Sequence, residues 1–133
     1  MKPILTSGKR KSAIARAVIN QGSGIIRINN KLISSYQPKL MQMKIMEPLM
    51  LAEHHANNVD ISVNIKGGGI MSQAEAARLA IAKALVEFTK DKKLEKEFLE
   101  YDRHMLIADV RRKEQRKPNR HGKARAKTQK SYR

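Results

Sequence analysis

The stretch RKPNRHGKARAKTQKSYR, residues 116–133, contains no Val, Ile, Leu, Met or Phe. A segment with so little to bury cannot offset the entropy lost on ordering it, so it has no fold of its own. Its charge adds to the difficulty. Residues 111–133 hold eleven basic side chains against one acidic one, Glu114, and residues 1–16 hold five basic and none acidic. Between them, residues 17–110 balance twelve basic with eleven acidic side chains. The formal net charge of +16 therefore sits at two ends of a nearly neutral centre. With 133 residues and an apolar fraction of 41%, the chain suits one modest core with extensions. The expected division is a globular domain over 1–110 and a basic tail over 111–133 that is disordered on its own. Fully stretched, the tail reaches about 75–80 Å at roughly 3.3–3.6 Å per residue.

The absence of Cys removes disulfides and thiolate zinc sites. Apolar runs are too short for a membrane span, and MKPILTSGKRKSAIARAV has no signal-peptide apolar region. A cytoplasmic location is expected.

Within the centre, SAIARAVINQGSGIIRIN alternates apolar positions around NQGSG and predicts a β-hairpin. PKLMQMKIMEPLMLAEHH has helical spacing, but Pro48 predicts two short helices, about 39–46 and 48–55. VDISVNIK predicts a strand with Val59, Ile61, Val63 and Ile65 on one face. SQAE, from Ser72 to Glu75, reads as a capping box opening a helix over about 73–89. Leu94, Phe98 and Tyr101 suggest another helix, and HMLIAD a final strand. The order β-β-α-β-α-α-β is an α+β arrangement with helices laid on a sheet.

A polyanion would order the tail by neutralising its charge and releasing counterions. Folded RNA suits it best, because Arg adds bidentate phosphate contacts and stacking on bases. Duplex DNA and an acidic membrane surface stay open on charge alone.

GKRKSAIARAVI, IKGGGIMSQAEAARLAIAKAL and GKARAKTQKSYR stand in an order and spacing that resemble the universal small-subunit ribosomal protein family numbered nine. The resemblance covers nearly the whole chain, and the QKSYR ending looks like the archaeal and eukaryotic branch. It implies a non-enzymatic structural constituent of the small subunit's head, without cofactor, metal or small-molecule substrate. The implied fold is a four-stranded mixed sheet with helices packed on it, like the second domain of ribosomal protein number five. It includes a βαβ unit with a left-handed crossover, and an extended basic C-terminal tail follows. The implied partners are small-subunit rRNA, the peptidyl-site tRNA and neighbouring ribosomal proteins of the head. Carried onto this sequence, Lys9, Arg10, Lys11 and Arg16 dock the domain on rRNA. Arg111, Arg112, Lys113, Arg116, Lys117, Arg120, His121, Lys123, Arg125 and Lys127 follow the rRNA path. Lys130, Tyr132 and Arg133 meet the tRNA anticodon stem-loop.

Other residues have simpler readings. Lys66 and the glycines of KGGG precede a helix, where backbone amides attract anions. The Lys-Ser/Thr pair of a P-loop is missing, which leaves a tight turn, or an rRNA phosphate assisted by Lys66. Adjacent histidines on a helix point about 100° apart, so His54 and His55 suit a shared metal poorly. Met41, Met43, Met46 and Met50 fit core packing better than a copper site. Asp102, Asp109 and Glu114 are expected to pair with Arg103, Arg111 and Arg112 near the tail's exit.

Overall fold

A computed structural model describes residues 2–128 and 130–132. Five strands form one sheet: β1 (Ile4–Arg10), β2 (Ala13–Gln21), β3 (Ile26–Ile28), β4 (Lys31–Leu32) and β5 (Val59–Lys66). Their spatial order is β1-β2-β5-β3-β4. Only β3 and β5 run parallel, and the other neighbours are antiparallel. The connection from β3 to β5 passes through α1 (Lys39–Leu51) and α2 (Glu53–Ala56), giving a βαβ unit. Helices α3 (Ile70–Thr89) and α4 (Lys92–Tyr101) follow β5.

Period-two alternation sets the two faces of the sheet. Ala13, Ala15, Ala17 and Ile19 of β2 and Val59, Ile61, Val63 and Ile65 of β5 point to one side and are buried. Helix α3 lies on that side, and almost every residue from Ala74 to Leu85 is buried. Phe98 of α4, Ile45 of α1 and Met105 complete the core. Small side chains let β1 approach α3 closely. Thr6 Oγ1 donates to the Ala80 carbonyl at 2.8 Å, and a Cβ on Gly8 would stand 2.8 Å from the Ala80 nitrogen.

The sheet has five strands rather than four, because residues 4–10 and 31–32 form edge strands beside β2 and β3, while the expected final strand is absent among the described residues. No hairpin joins β2 to β3, since β5 lies between them. The amides of Gly22 and Gly24 donate to the carbonyls of Asn58 and Val59. Those of Ser23 and Ile25 donate to Asp60 Oδ1. These bonds carry the loop across the start of β5 instead of back along β2. Pro48 does not divide the helix, for α1 runs through it with Met41, Ile45, Pro48 and Leu49 on one buried seam. Tertiary packing outweighs the lost backbone donor here.

The capping box does not form. Gly69 is the N-cap of α3, so Ser72 already lies inside the helix. Gly67 and Gly68 have φ of 77° and 69° and turn the chain sharply. HMLIAD is not a strand; a short 3-10 helix over Arg103–Met105 stands in its place. Beyond it, the described residues form no helix or strand.

Candidate nucleic-acid interface

The alternation that buries one sheet face exposes the other. Register brings Lys9, Ile14 and Lys66 into one row, and Ser7, Arg16 and Asn64 into the next. With strands about 4.8 Å apart, Lys9 and Lys66 stand roughly 10 Å from each other across β2. Arg27 on β3 joins this face beside Ser62. The carboxylate on this face is Asp60, and it is held below its usual range by the amides of Ile25 and Ser23.

Lys9 and Arg10, adjacent in sequence, point to opposite faces. Lys9 is exposed on the open face. Arg10 lies on the helix side, in register with Thr6 and Gly8, where it meets α3. Its Nε donates to Glu75 Oε2 at 2.6 Å, and its Nη2 is 3.4 Å from Asp109 Oδ2. Lys44 of α1 donates to the other oxygen of Glu75 at 2.9 Å. Partial burial pushes the Glu75 carboxyl upward, but Lys44 and Arg10 outweigh it and hold the group below its usual value. A cavity of about 190 Å³ opens beside this network, reaching Arg78, Asp102 and His104. Arg78, almost wholly buried, pairs with Glu47 at 2.7 Å and Asp102 at 2.9 Å.

The chain leaving the core returns to β1. Arg111 chelates Asp109 with Nε and Nη2 at 2.8–3.2 Å. These bonds and the Arg111 amide hold the Asp109 carboxyl well below the carboxylate range. The result is an open groove of about 830 Å³ lined by Lys9, Lys11, Ser12, Arg111, Arg112 and Lys113. Five of its six residues are cationic. Lys9, Lys11, Arg16, Lys66 and Lys113 have no carboxylate partner among the described residues.

Further along, Glu114 pairs with Lys117 at 2.8 Å and Arg125 at 2.7 Å, and both hold its carboxyl below the usual value. The Lys117 amide donates to the Lys123 carbonyl and that of Lys123 to Arg120. Arg120 Nη1 donates to the Ala126 carbonyl at 3.2 Å. The tail is therefore locally folded back over 114–126. Arg116, His121, Lys123, Lys127, Lys130 and Tyr132 are exposed. Arg133 lies outside the described residues.

Of the expected ion pairs, Asp109 with Arg111 forms. Asp102 pairs with Arg78 instead of Arg103, and Glu114 with Lys117 and Arg125. His55 Nε2 stands 3.8 Å from Asp91 Oδ2, while His54 is exposed. Met41 is buried and Met46 packs on the core, whereas Met43 and Met50 are exposed. Lys44 and Glu75 were not legible as partners, being joined only by tertiary structure. Arg27 was missed, although period two between Ile26 and Ile28 could have found it by turning it outward.

The family described as "Ribosomal protein S9/S16" matches residues 8–133. The chain belongs to the ribosomal protein S9/S16 family. Among its relatives is the protein called "Small ribosomal subunit protein uS9" in Methanococcus maripaludis strain C7, 51% identical over 134 residues and covering all of both chains. The protein of that name in strain C5 is 50% identical over the same span, again with complete coverage. The groove and the open sheet face thus belong to a ribosomal protein family. Among the described residues, no three or more His, Cys, Asp or Glu side chains gather as a metal site would, and no helix is long and apolar enough to cross a membrane.

Proposed function

We propose that this protein is a non-enzymatic structural constituent of the small ribosomal subunit in the cytoplasm. Its globular part docks on rRNA of the subunit head beside neighbouring ribosomal proteins. The basic groove and the open sheet face take phosphates through Lys9, Lys11, Arg16, Lys66, Arg112 and Lys113. Arg10 has a different role, since Glu75 and Asp109 already engage it. The tail, residues 111–133, neutralises phosphate along an rRNA channel, and Lys130, Tyr132 and Arg133 reach the peptidyl-site tRNA.

The observation that carries this function is the convergence, in a member of this family, of cations from both ends of the chain on one groove. Such a cluster is costly in isolation and is relieved by a polyanion. Among the described residues the strands turn no aromatic side chain to this face for base stacking, so it favours backbone over base readout. A DNA-binding architectural protein is the rival, and it requires duplex affinity equal to that for rRNA.

Two truncations test the proposal by the salt dependence of binding to in vitro transcribed head rRNA, with duplex DNA as competitor. Removing 112–133 takes away ten basic residues. If all ten meet phosphate, the log–log slope falls by about 7–9, which is an upper bound. Removing only 130–133 is expected to leave subunit assembly intact and to weaken tRNA retention in the peptidyl site. An unchanged slope, or equal competition by duplex DNA, contradicts the proposal.

A further inference from the structure

Like-charged segments do not meet unless something holds them together. Lys9 and Lys11 form one wall of the groove, and Arg111, Arg112 and Lys113 the other. Their mutual repulsion favours an open arrangement. Asp109 stands behind the groove, in the adjoining cavity, and ties the second wall to β1 through Arg10, the residue between Lys9 and Lys11. Toward the tail, its carboxylate accepts from the Arg111 amide at 2.9 Å and chelates the Arg111 guanidinium, and its carbonyl accepts from Arg112 Nη1 at 2.6 Å. Toward the domain, it faces Arg10. Arg10 is itself fixed by Glu75, and Glu75 by Lys44, so the alternating charges run from α1 through α3 and β1 into the tail. The Asp109 side chain is 13% exposed and that of Arg111 76% exposed. The carboxylate thus faces inward while the cations face solvent.

We propose that Asp109 is the positioning residue that assembles this groove as a phosphate-binding site, so that an acidic side chain strengthens binding to a polyanion. This rests on the proposed reading of the groove as an RNA-backbone site. Asp109 touches no phosphate. It cancels repulsion within the groove and sets the direction in which the tail leaves the domain.

Asp109→Asn and Glu114→Gln separate this role from bulk charge, because each raises the formal net charge from +16 to +17. Bulk electrostatics makes both variants bind head rRNA at least as tightly as wild type. Asp109→Asn is instead expected to bind several-fold more weakly, with a salt slope smaller by about 1–2 as one or two phosphate contacts are lost. Glu114→Gln is expected to bind as tightly as wild type or more so, and Asp109→Glu to recover part of the loss.

A second readout needs no RNA. The chain has no Cys, so spin labels attach only at Ser12→Cys and Lys113→Cys. Their distance distribution should be narrow in the wild-type background and should lengthen and broaden with Asp109→Asn. Asp109→Asn binding that matches Glu114→Gln, or an unchanged distance distribution, overturns the proposal. If wild type binds no head rRNA, the proposed function falls, and the distances still judge whether Asp109 holds the groove closed.

Discussion

The carboxylates of this basic protein are its scarce charges, and most of those with shifted acidity are committed to one contact each network depends on. Asp60 closes the loop between β2 and β3, Glu75 joins Lys44 to Arg10, and Asp102 holds Arg78. Asp102 is pushed upward by partial burial, but the His104 amide and Arg78 outweigh this and lower it. With Asp109 and Glu114, all five bind protons less readily in the folded chain than in the unfolded one. A depressed folded-state pKa contributes stability above the unfolded value, and acidification through and below that value removes it. The melting temperature should therefore hold steady down to about pH 5 and fall steeply below about pH 4. Asp102→Asn should melt lower at neutral pH and lose less on acidification, since one linked group is gone. Thermal melts equally high at about pH 3 and pH 7 would contradict the assignment.

Among the elements, β1 and α3 set the closest packing in the core. Gly8 lies against the backbone of Ala76 and Ala80, with no flexible side chain to yield. Gly8→Ala should therefore cost about 2–3 kcal/mol, read by denaturant unfolding, and Ser7→Ala on the open face almost nothing. Equal stability of the two variants would mean that β1 sits farther from α3. β5 and α3 were legible in the sequence because each carries a long unbroken period, two in Val59–Ile65 and near 3.6 in Ala74–Phe88. β1 was not, because of its inward positions Ile4, Thr6, Gly8 and Arg10 only the first carries a large apolar side chain. The β2–β3 hairpin failed for a different reason. NQGSG is a turn signal, but the acceptors that direct the turn are Asn58, Val59 and Asp60, distant in sequence. Ser72 and Glu75 have capping-box spacing, yet the glycines start α3 earlier and Arg10 and Lys44 claim Glu75.

At the scale of the whole molecule, charge separation was the clearest message of the sequence, and the meeting of its two ends was the hidden one. Composition marks Lys9–Lys11 and Arg111–Lys113 as basic, but nothing local says that Asp109 brings them together. The candidate residues also divide in a way composition cannot show. Lys9 and Lys66 have no carboxylate partner among the described residues, whereas Arg10 and Arg111 are engaged by carboxylates. The central claim is that the domain folds by burying its own core, while the tail takes its lasting shape from RNA. Contacts such as Glu114 with Lys117 and Arg125 are exposed ion pairs, worth little against chain entropy. Amide hydrogen exchange of the full-length protein, with and without head rRNA, tests this most directly. The account predicts strong protection of β2, β5 and α3 in both states, with protection of residues 115–132 only when RNA is bound. Protection of 115–132 in the free protein, as strong as that of the sheet, would contradict it.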